Sequence, residues 1–233
     1  MAKSRERAKA LIMEGKVTVD GVAVMKAGSP VSRDSAILLK KDDIPFVGRG
    51  GLKLKAALDF FCIDPAGKTI MDIGCSTGGF TDCVLQGNAR RVYAVDVGYG
   101  QIDWSLRQNP RVILLEKTNI RYLEKEKVPD PVDLVLIDVS FISLTKVLPK
   151  CLEFLDRQGE VLALVKPQFE VGKGMVEKGG VIKDESKRIR AVENINTFAV
   201  SGGLETIGTY ESPVHGHKGN IEYFIYLRRK TDG

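Results

Sequence analysis

The residues best typed and spaced for chemistry in this chain fall at the ends of apolar runs. Residues 69–73 lead into Asp72-Ile73-Gly74-Cys75-Ser76-Thr77-Gly78-Gly79-Phe80, a small-residue loop that opens a helix toward Leu85. Glycine has no Cβ, so a ligand can approach the backbone there. The first strand-to-helix turn of a doubly wound sheet is where a nucleotide-like ligand meets exposed backbone donors. The spacing discriminates between ligands, because a dinucleotide fingerprint reads GxGxxG, whereas Gly74 is followed by Cys75 and the paired glycines come only at Gly78-Gly79. A nicotinamide oxidoreductase is disfavoured on that ground. Asp96 ends the next run, placed for its carboxylate to accept both ribose hydroxyls of a nucleoside. Asp138 and Lys166 end two later runs, and the carboxyl ends of parallel strands line the ligand crevice of open α/β sheets.

Those positions require a sheet to hold them. Apolar runs at 69–73, 91–95, 112–115, 132–137 and 160–165 alternate with helical stretches, which predicts five parallel strands buried on both faces. Residues 144–155 are expected to supply one of the covering helices, and Lys53 lies on a helix before the first strand. Runs at 204–210 and 221–227 have too few residues between them for a crossover helix, so they read as an antiparallel hairpin at one edge. Five parallel strands followed by a hairpin is the inventory of the class I S-adenosylmethionine (SAM)-dependent methyltransferase fold, an α/β, Rossmann-like architecture.

A smaller unit precedes it. Ser4 can N-cap a helix whose apolar positions Ala8, Leu11 and Ile12 share a face while Arg5 and Lys9, four apart, project together on another. Gly15 ends that helix. Val17-Thr18-Val19 and Val22-Ala23-Val24 then flank Asp20-Gly21, a strong type I′ hairpin signal. The stretch SRERAKALIMEGKVTVDG resembles the second helix and first hairpin of the S4 RNA-binding module. Family members carry an earlier helix, so the module reads as a truncated α+β S4-like domain. The charged, glycine-bearing stretch KKDDIPFVGRGG marks the boundary, giving expected domains of 1–45 and 46–233.

The charge distribution agrees with that division. Residues 1–55 carry 12 Lys+Arg against 6 Asp+Glu, and the remaining residues 23 against 24, so the excess behind the net charge of +5 lies in the first quarter. A basic segment on a neutral body suits a polyanion-binding module. Arg5, Lys9, Lys16 and Arg49 are its candidate RNA-binding residues. No aliphatic stretch approaches the ~20 residues of a spanning helix and the charged opening lacks a secretory apolar stretch, which leads us to expect a cytoplasmic protein with no membrane partner. Cys62, Cys75, Cys83 and Cys151 show no CxxC or Cys/His spacing, so reduced thiols and no metal site are expected.

The loop from Asp72 to Phe80 resembles motif I of SAM enzymes, where the loop wraps the methionine part of the cofactor. That resemblance assigns Asp72, Gly74, Cys75, Ser76, Thr77, Gly78, Gly79 and Phe80 to cofactor binding, together with Asp96 and with Asn119 near the adenine edge. A Lys-Asp-Lys-Glu set on this scaffold (Lys53, Asp138, Lys166, Glu222) resembles the FtsJ-like ribose 2′-O-methyltransferases. The nearer match is the haemolysin-A (TlyA) type, which joins an S4 module to that catalytic domain and methylates ribosomal RNA. The stretches GRGGLKLKAAL, DIGCSTGGFTD, IDVSFISL, LVKPQFE and HKGNIEYF carry the likeness in order. Lys53 and Glu222 are identified by that likeness alone, and Lys55 competes with Lys53 for its role.

The resemblance implies SAM as methyl donor, ribosomal RNA or a ribosomal subunit as partner, and a ribose 2′-hydroxyl, of cytidine, as acceptor. A 2′-hydroxyl is a poor nucleophile until it loses its proton, so a base must sit against it, and Lys166 is the candidate. Asp138 and Glu222 would orient the two lysines, with no metal required. Two rival readings are a membrane-active haemolysin and an RNA-binding protein with a vestigial SAM site. The sequence argues against the first, because no strand reads as the roughly ten-residue alternating segment of a membrane barrel and the basic helix is too short and too weakly apolar for an anchor. The glycine-punctuated segment 167–182, directly after Lys166, reads equally as a lid or as a plain surface loop.

Overall fold

The computed structural model describes residues 5–13, 15–39, 44–172, 174–176 and 179–230. The chain divides into two compact units, residues 1–44 and 45–233. In the first, helix α1 (Arg5–Met13) is followed by strands β1 (Val17–Val19), β2 (Val22–Ala23) and β3 (Ile37–Leu39), in the order β2-β1-β3. Asp20 (φ 50°) and Gly21 (φ 82°) both take the positive φ that a type I′ turn requires, and Val19 pairs antiparallel with Val22 across them. Ser4, the expected N-cap, lies outside the described residues. Strand β3 is an addition to the expected hairpin; it pairs with β1 through Val17↔Leu39 while its own side chains stay exposed.

The second unit runs α2 (Gly50–Phe61), β4 (Thr69–Ile73), α3 (Gly79–Gln86), β5 (Arg91–Val95), α4 (Trp104–Arg107), β6 (Val112–Leu115) and β7 (Val132–Ile137). It continues with α5 (Leu148–Cys151), β8 (Leu155–Val165), α6 (Pro167–Glu170), α7 (Glu185–Ser201), β9 (Leu204–Glu211) and β10 (Tyr223–Arg229). The sheet order is β6-β5-β4-β7-β8-β10-β9. The first five are parallel, and β10 lies antiparallel between β8 and β9, which makes β9 the edge. This is the Rossmann-like methyltransferase arrangement that the strand inventory implied.

Both faces of the sheet are covered, which explains the near-continuous apolar runs. Met71, Ile73, Val135, Ile137, Val161, Ala163 and Ile225 pack on one side with α5 and α7. Ile70, Leu134, Leu136, Leu162, Leu164 and Phe224 pack on the other with Leu54 and Ala57 of α2 and with α3. Burying one such aliphatic side chain contributes about 1.5–3 kcal/mol.

Two expected elements differ. Residues 144–155 form no single helix but a 3-10 turn (Leu144–Lys146) and the short α5, whose first turn holds Pro149. Strand β8 begins at Leu155, not at residue 160, because Leu155 already pairs with Val132 before a register shift carries the chain past exposed Asp156, Arg157 and Gln158 to Glu160↔Leu134. Among the described residues, no helix is long and apolar enough to cross a membrane.

Candidate functional site

Strand β4 delivers the loop that the sequence singled out. Gly74 has φ +84°, and a Cβ there would collide with the Asp138 carbonyl, so only glycine lets the ends of β4 and β7 meet. The Gly74 and Asp138 amides donate to Val95 O and Ile73 O, both at 2.9 Å, which seats the loop across the carboxyl ends of three strands. Cys75 is buried, and burial pushes its thiol up, so it stays protonated and packs as an apolar group. Ser76 is exposed, Thr77 half-buried, and Gly78 and Gly79 open α3. Phe80 points inward to the core beside Phe224, with ring centroids 6.2 Å apart, so its side chain lines no ligand surface.

Asp72 is fully buried. Thr81 Oγ1 donates to its Oδ2 at 2.6 Å while Oδ1 has no hydrogen-bond partner. Burial pushes its carboxyl up to about 7, Thr81 opposing the shift and the neighbouring Asp138 adding to it. Asp96 follows β5 as expected, and its carboxylate accepts from Ser76 N–H at 2.8 Å and Gly98 N–H at 2.7 Å. Each oxygen keeps a lone pair for a further donor. Asn119 follows β6, where its Oδ1 accepts from Arg121 N–H at 3.2 Å and leaves its amide nitrogen to donate elsewhere. A carboxylate with spare lone pairs, a buried orphan acceptor and a glycine-shaped backbone floor fit a nucleoside that also carries an amino acid, as SAM does.

The four ionisable residues form two ion pairs on the same strand edge. Lys166 Nζ lies 2.6 Å from Asp138 Oδ1 and donates to Ser140 Oγ at 2.9 Å. Lys53 Nζ donates to Glu222 Oε2 at 2.6 Å, and the Glu222 side chain is only 2% exposed. Glu222 passes so close to Gly216 that a Cβ on that residue would overlap its carboxylate. Lys55, two residues from Lys53 on α2, turns to the exposed side and pairs with Asp59, which separates the two lysines that the sequence left open.

The basic candidates divide between the two units. Lys9 is exposed, Lys16 is half-buried and Arg49 is the exposed N-cap position of α2; the Arg5 side chain lies outside the described residues. Among the described residues, no cluster of three or more His, Cys, Asp or Glu could hold a metal ion.

Sequence reasoning passed over several residues around the pairs. Phe141 is 91% exposed and has φ +64°, an outlier for a bulky residue, with its ring 5.1 Å from that of Phe169. Glu170 on α6 accepts from Ser143 Oγ at 2.6 Å and from Leu144 N–H at 2.9 Å, and burial raises its carboxyl against those two donors. Asn220, buried two residues before Glu222, donates to Gly180 O at 2.9 Å and accepts from Ile182 N–H at 3.1 Å, so it ties the glycine-rich segment after α6 to the β9–β10 connection. These contacts join residues 26 to 40 positions apart, and no local pattern announces them.

Comparison with known proteins follows the same division of the chain. Residues 46–229 match the FtsJ-like methyltransferase family and residues 1–37 match the S4 domain. The chain is 46% identical over 233 residues to the 16S/23S rRNA (cytidine-2′-O)-methyltransferase TlyA of Mycobacterium tuberculosis, covering 100% of this chain and 87% of that protein. It is 38% identical over 226 residues to Hemolysin A of Brachyspira hyodysenteriae, covering 97% of this chain and 94% of that one. A solved structure described as a hemolysin from Streptococcus thermophilus superposes with a TM-score of 0.81 at 40% identity, over 98% of this chain and 84% of that chain. A match of that extent, over the residues that build the seven-stranded sheet and its ligand edge, makes this chain a member of the FtsJ-like methyltransferase family.

Proposed function

We propose that this protein transfers a methyl group from SAM to a ribose 2′-hydroxyl of ribosomal RNA, at a cytidine, with residues 1–45 acting as an RNA-gripping module and residues 46–233 as the catalytic domain. The observation that carries the reading is the Lys166–Asp138 pair, 2.6 Å apart, with Asp138 set directly beside Gly74 of the motif I loop. The proposed proton acceptor is thereby held beside the loop that would hold the methyl donor. The TlyA relative, named for this chemistry on 16S and 23S rRNA, supports the choice of acceptor.

When bound, SAM supplies an electrophilic methyl on a sulfonium. Asp96 would accept hydrogen bonds from the ribose hydroxyls of the cofactor while retaining its two backbone donors, and the Gly74 to Ser76 backbone would lie under the methionine part. Lys166 Nζ, once it has released its own ammonium proton to solvent, takes the proton of the RNA 2′-hydroxyl, and Asp138 and Ser140 fix where that nitrogen points. Lys53 and Glu222, almost withdrawn from solvent, form a second pair that holds the acceptor ribose in line, so that positioning supplies much of the rate. The exposed Phe141 ring offers a stacking face to an unpaired base. Lys117 over the exposed Tyr99 ring at 4.5 Å and Arg121 over Tyr122 at 5.2 Å support an RNA-facing role for the loops after β5 and β6.

The deciding experiment is transfer of labelled methyl from SAM to purified small and large ribosomal subunits, followed by nuclease mapping. A 2′-O-methylated cytidine is expected. Label on a base, or no label on either subunit or on naked RNA, would overturn the reading.

A further inference from the structure

We propose that Glu170 is a positioning residue for the Lys166–Asp138 pair, a single carboxylate that locks the turn after β8 onto the loop after β7. The inference rests on the reading of Lys166 as the proton acceptor and deepens it. Lys166 follows β8 and Asp138 follows β7, and from each the chain leaves the sheet, through α6 after Lys166 and through a loop after Asp138. A 2.6 Å pair between them therefore needs the two departing segments to be fixed relative to one another.

Glu170 makes that connection. It closes α6, which starts at Pro167 and is anchored to Lys166 itself by Phe169 N–H donating to Lys166 O at 2.8 Å. Its two oxygens reach separate donors on the other segment, Ser143 Oγ at 2.6 Å and Leu144 N–H at 2.9 Å. Ser143 and Leu144 end the loop that begins at Asp138 and carries Ser140, the second partner of Lys166. Ring contact between Phe141 and Phe169 spans the same gap.

A plain capping role does not account for the arrangement. The 3-10 turn at Leu144–Lys146 already has its own cap, since Ser143 Oγ accepts from Thr145 N–H at 3.2 Å. Glu170 adds a bond from outside that element, 26 residues distant from Leu144. A charge that gives up solvent must be offset by charge-assisted hydrogen bonds, and here both donors belong to the segment that presents Asp138.

The test uses the full-length chain and two readouts, one independent of methyl transfer. The first is the rate at which acetic anhydride acylates Lys166, mapped by peptide mass against the exposed Lys127. The second is kcat and KM for methyl transfer. In wild type, Lys166 is 11% exposed and paired, so it should label slowly. Glu170→Ala should make Lys166 label several-fold faster and lower kcat by about 10- to 100-fold, with KM for RNA and SAM affinity held within about twofold. Glu170→Gln, which keeps an acceptor for Leu144 and still reaches Ser143, should restore both readouts. Ser143→Ala removes one of the two donors and should act in the same direction more weakly, which carries the test if Glu170→Ala does not fold. Unchanged Lys166 labelling in both truncations, or a glutamine variant no better than alanine, would overturn the proposal. So would SAM affinity and melting temperature falling in step with kcat. Wild-type protein that methylates no ribose would sink the proposed reaction instead, and the labelling comparison would still decide the role of Glu170.

Discussion

Lys166 and Glu222 flank the last pair of one ladder. Val165 pairs with Tyr223 at the end of the antiparallel β8–β10 ladder, where Lys166 follows the first and Glu222 precedes the second, so both lie at the same end of the sheet. The parallel ladder between β4 and β7, ending at Ile73↔Ile137, likewise sets Gly74 beside Asp138. Two strand pairings thus bring three of the four ionisable residues and the Gly74 loop to one edge, and α2 contributes the fourth through Lys53.

The base role assigned to Lys166 separates charge from proton transfer. Arginine keeps the positive charge beside Asp138 and cannot give up its proton in a protein. Lys166→Arg should therefore be as inactive as Lys166→Ala, each losing about 10²- to 10⁴-fold in turnover while SAM affinity by titration calorimetry stays near wild type. Substantial turnover in the arginine variant would reduce Lys166 to an electrostatic contact and pass the base role to another member of the set.

Asp96, the proposed ribose ligand, also accepts from Ser76 and Gly98 N–H. Asp96→Ala should weaken SAM binding by about 10- to 100-fold, the loss of a charged acceptor being worth about 1.5–3 kcal/mol. Protease cleavage near Ser76 and Gly98 should increase, and the fold should persist because Asp96 lies at the end of its strand. Calorimetry and limited proteolysis check the two halves separately; full SAM affinity in the folded variant would remove Asp96 from the site.

The N-terminal charge makes a prediction of a different kind. Phosphate contacts release counterions, so RNA affinity should fall steeply with salt, and replacing Arg5 and Lys9 by alanine should flatten the log–log slope by up to ~2. SAM affinity should not move. A slope equal to wild type would make that charge a solvated face.

What the sequence disclosed, and what it withheld, follows from the range of the interactions. The motif I loop was legible because a strand, a glycine with a required positive φ and a helix start are all local, and Asp96, Asp138 and Lys166 followed from the rule that strand ends line the crevice. Lys53 and Lys55 could not be told apart, since both sit on α2 and only the long-range pairing with Glu222 selects one. Strand β3 went unseen because Ile37, Leu38 and Leu39 are exposed and lack the alternation of a half-buried strand. The helix expected over 144–155 is interrupted at Val147, between a 3-10 turn and a short helix with Pro149 in its first turn, and Leu155 already belongs to β8 through its pairing with Val132. Phe80 illustrates the converse, a motif residue whose ring the core claims.

Asp72 should make stability depend on pH in a direction opposite to that of an ordinary ion-paired carboxylate. Its folded carboxyl is pushed up to about 7 by burial, against 3.8 for the unpaired group. Between those values the folded protein holds a proton that the unfolded chain has released, so this site's stabilising contribution is complete below the lower value. It is lost as pH rises toward and through the upper one, at a limiting slope of about 1.4 kcal/mol per pH unit. Asp72→Asn removes the titration while its amide oxygen can still accept from Thr81. The variant should accordingly gain stability relative to wild type as pH climbs from 4 to about 7, with the difference level thereafter. Urea denaturation of both proteins across pH 4–8, without SAM, measures this directly. A stability difference that does not change with pH would mean that Asp72 titrates alike in the folded and unfolded chains, and that its buried, unbonded oxygen carries no proton near neutrality.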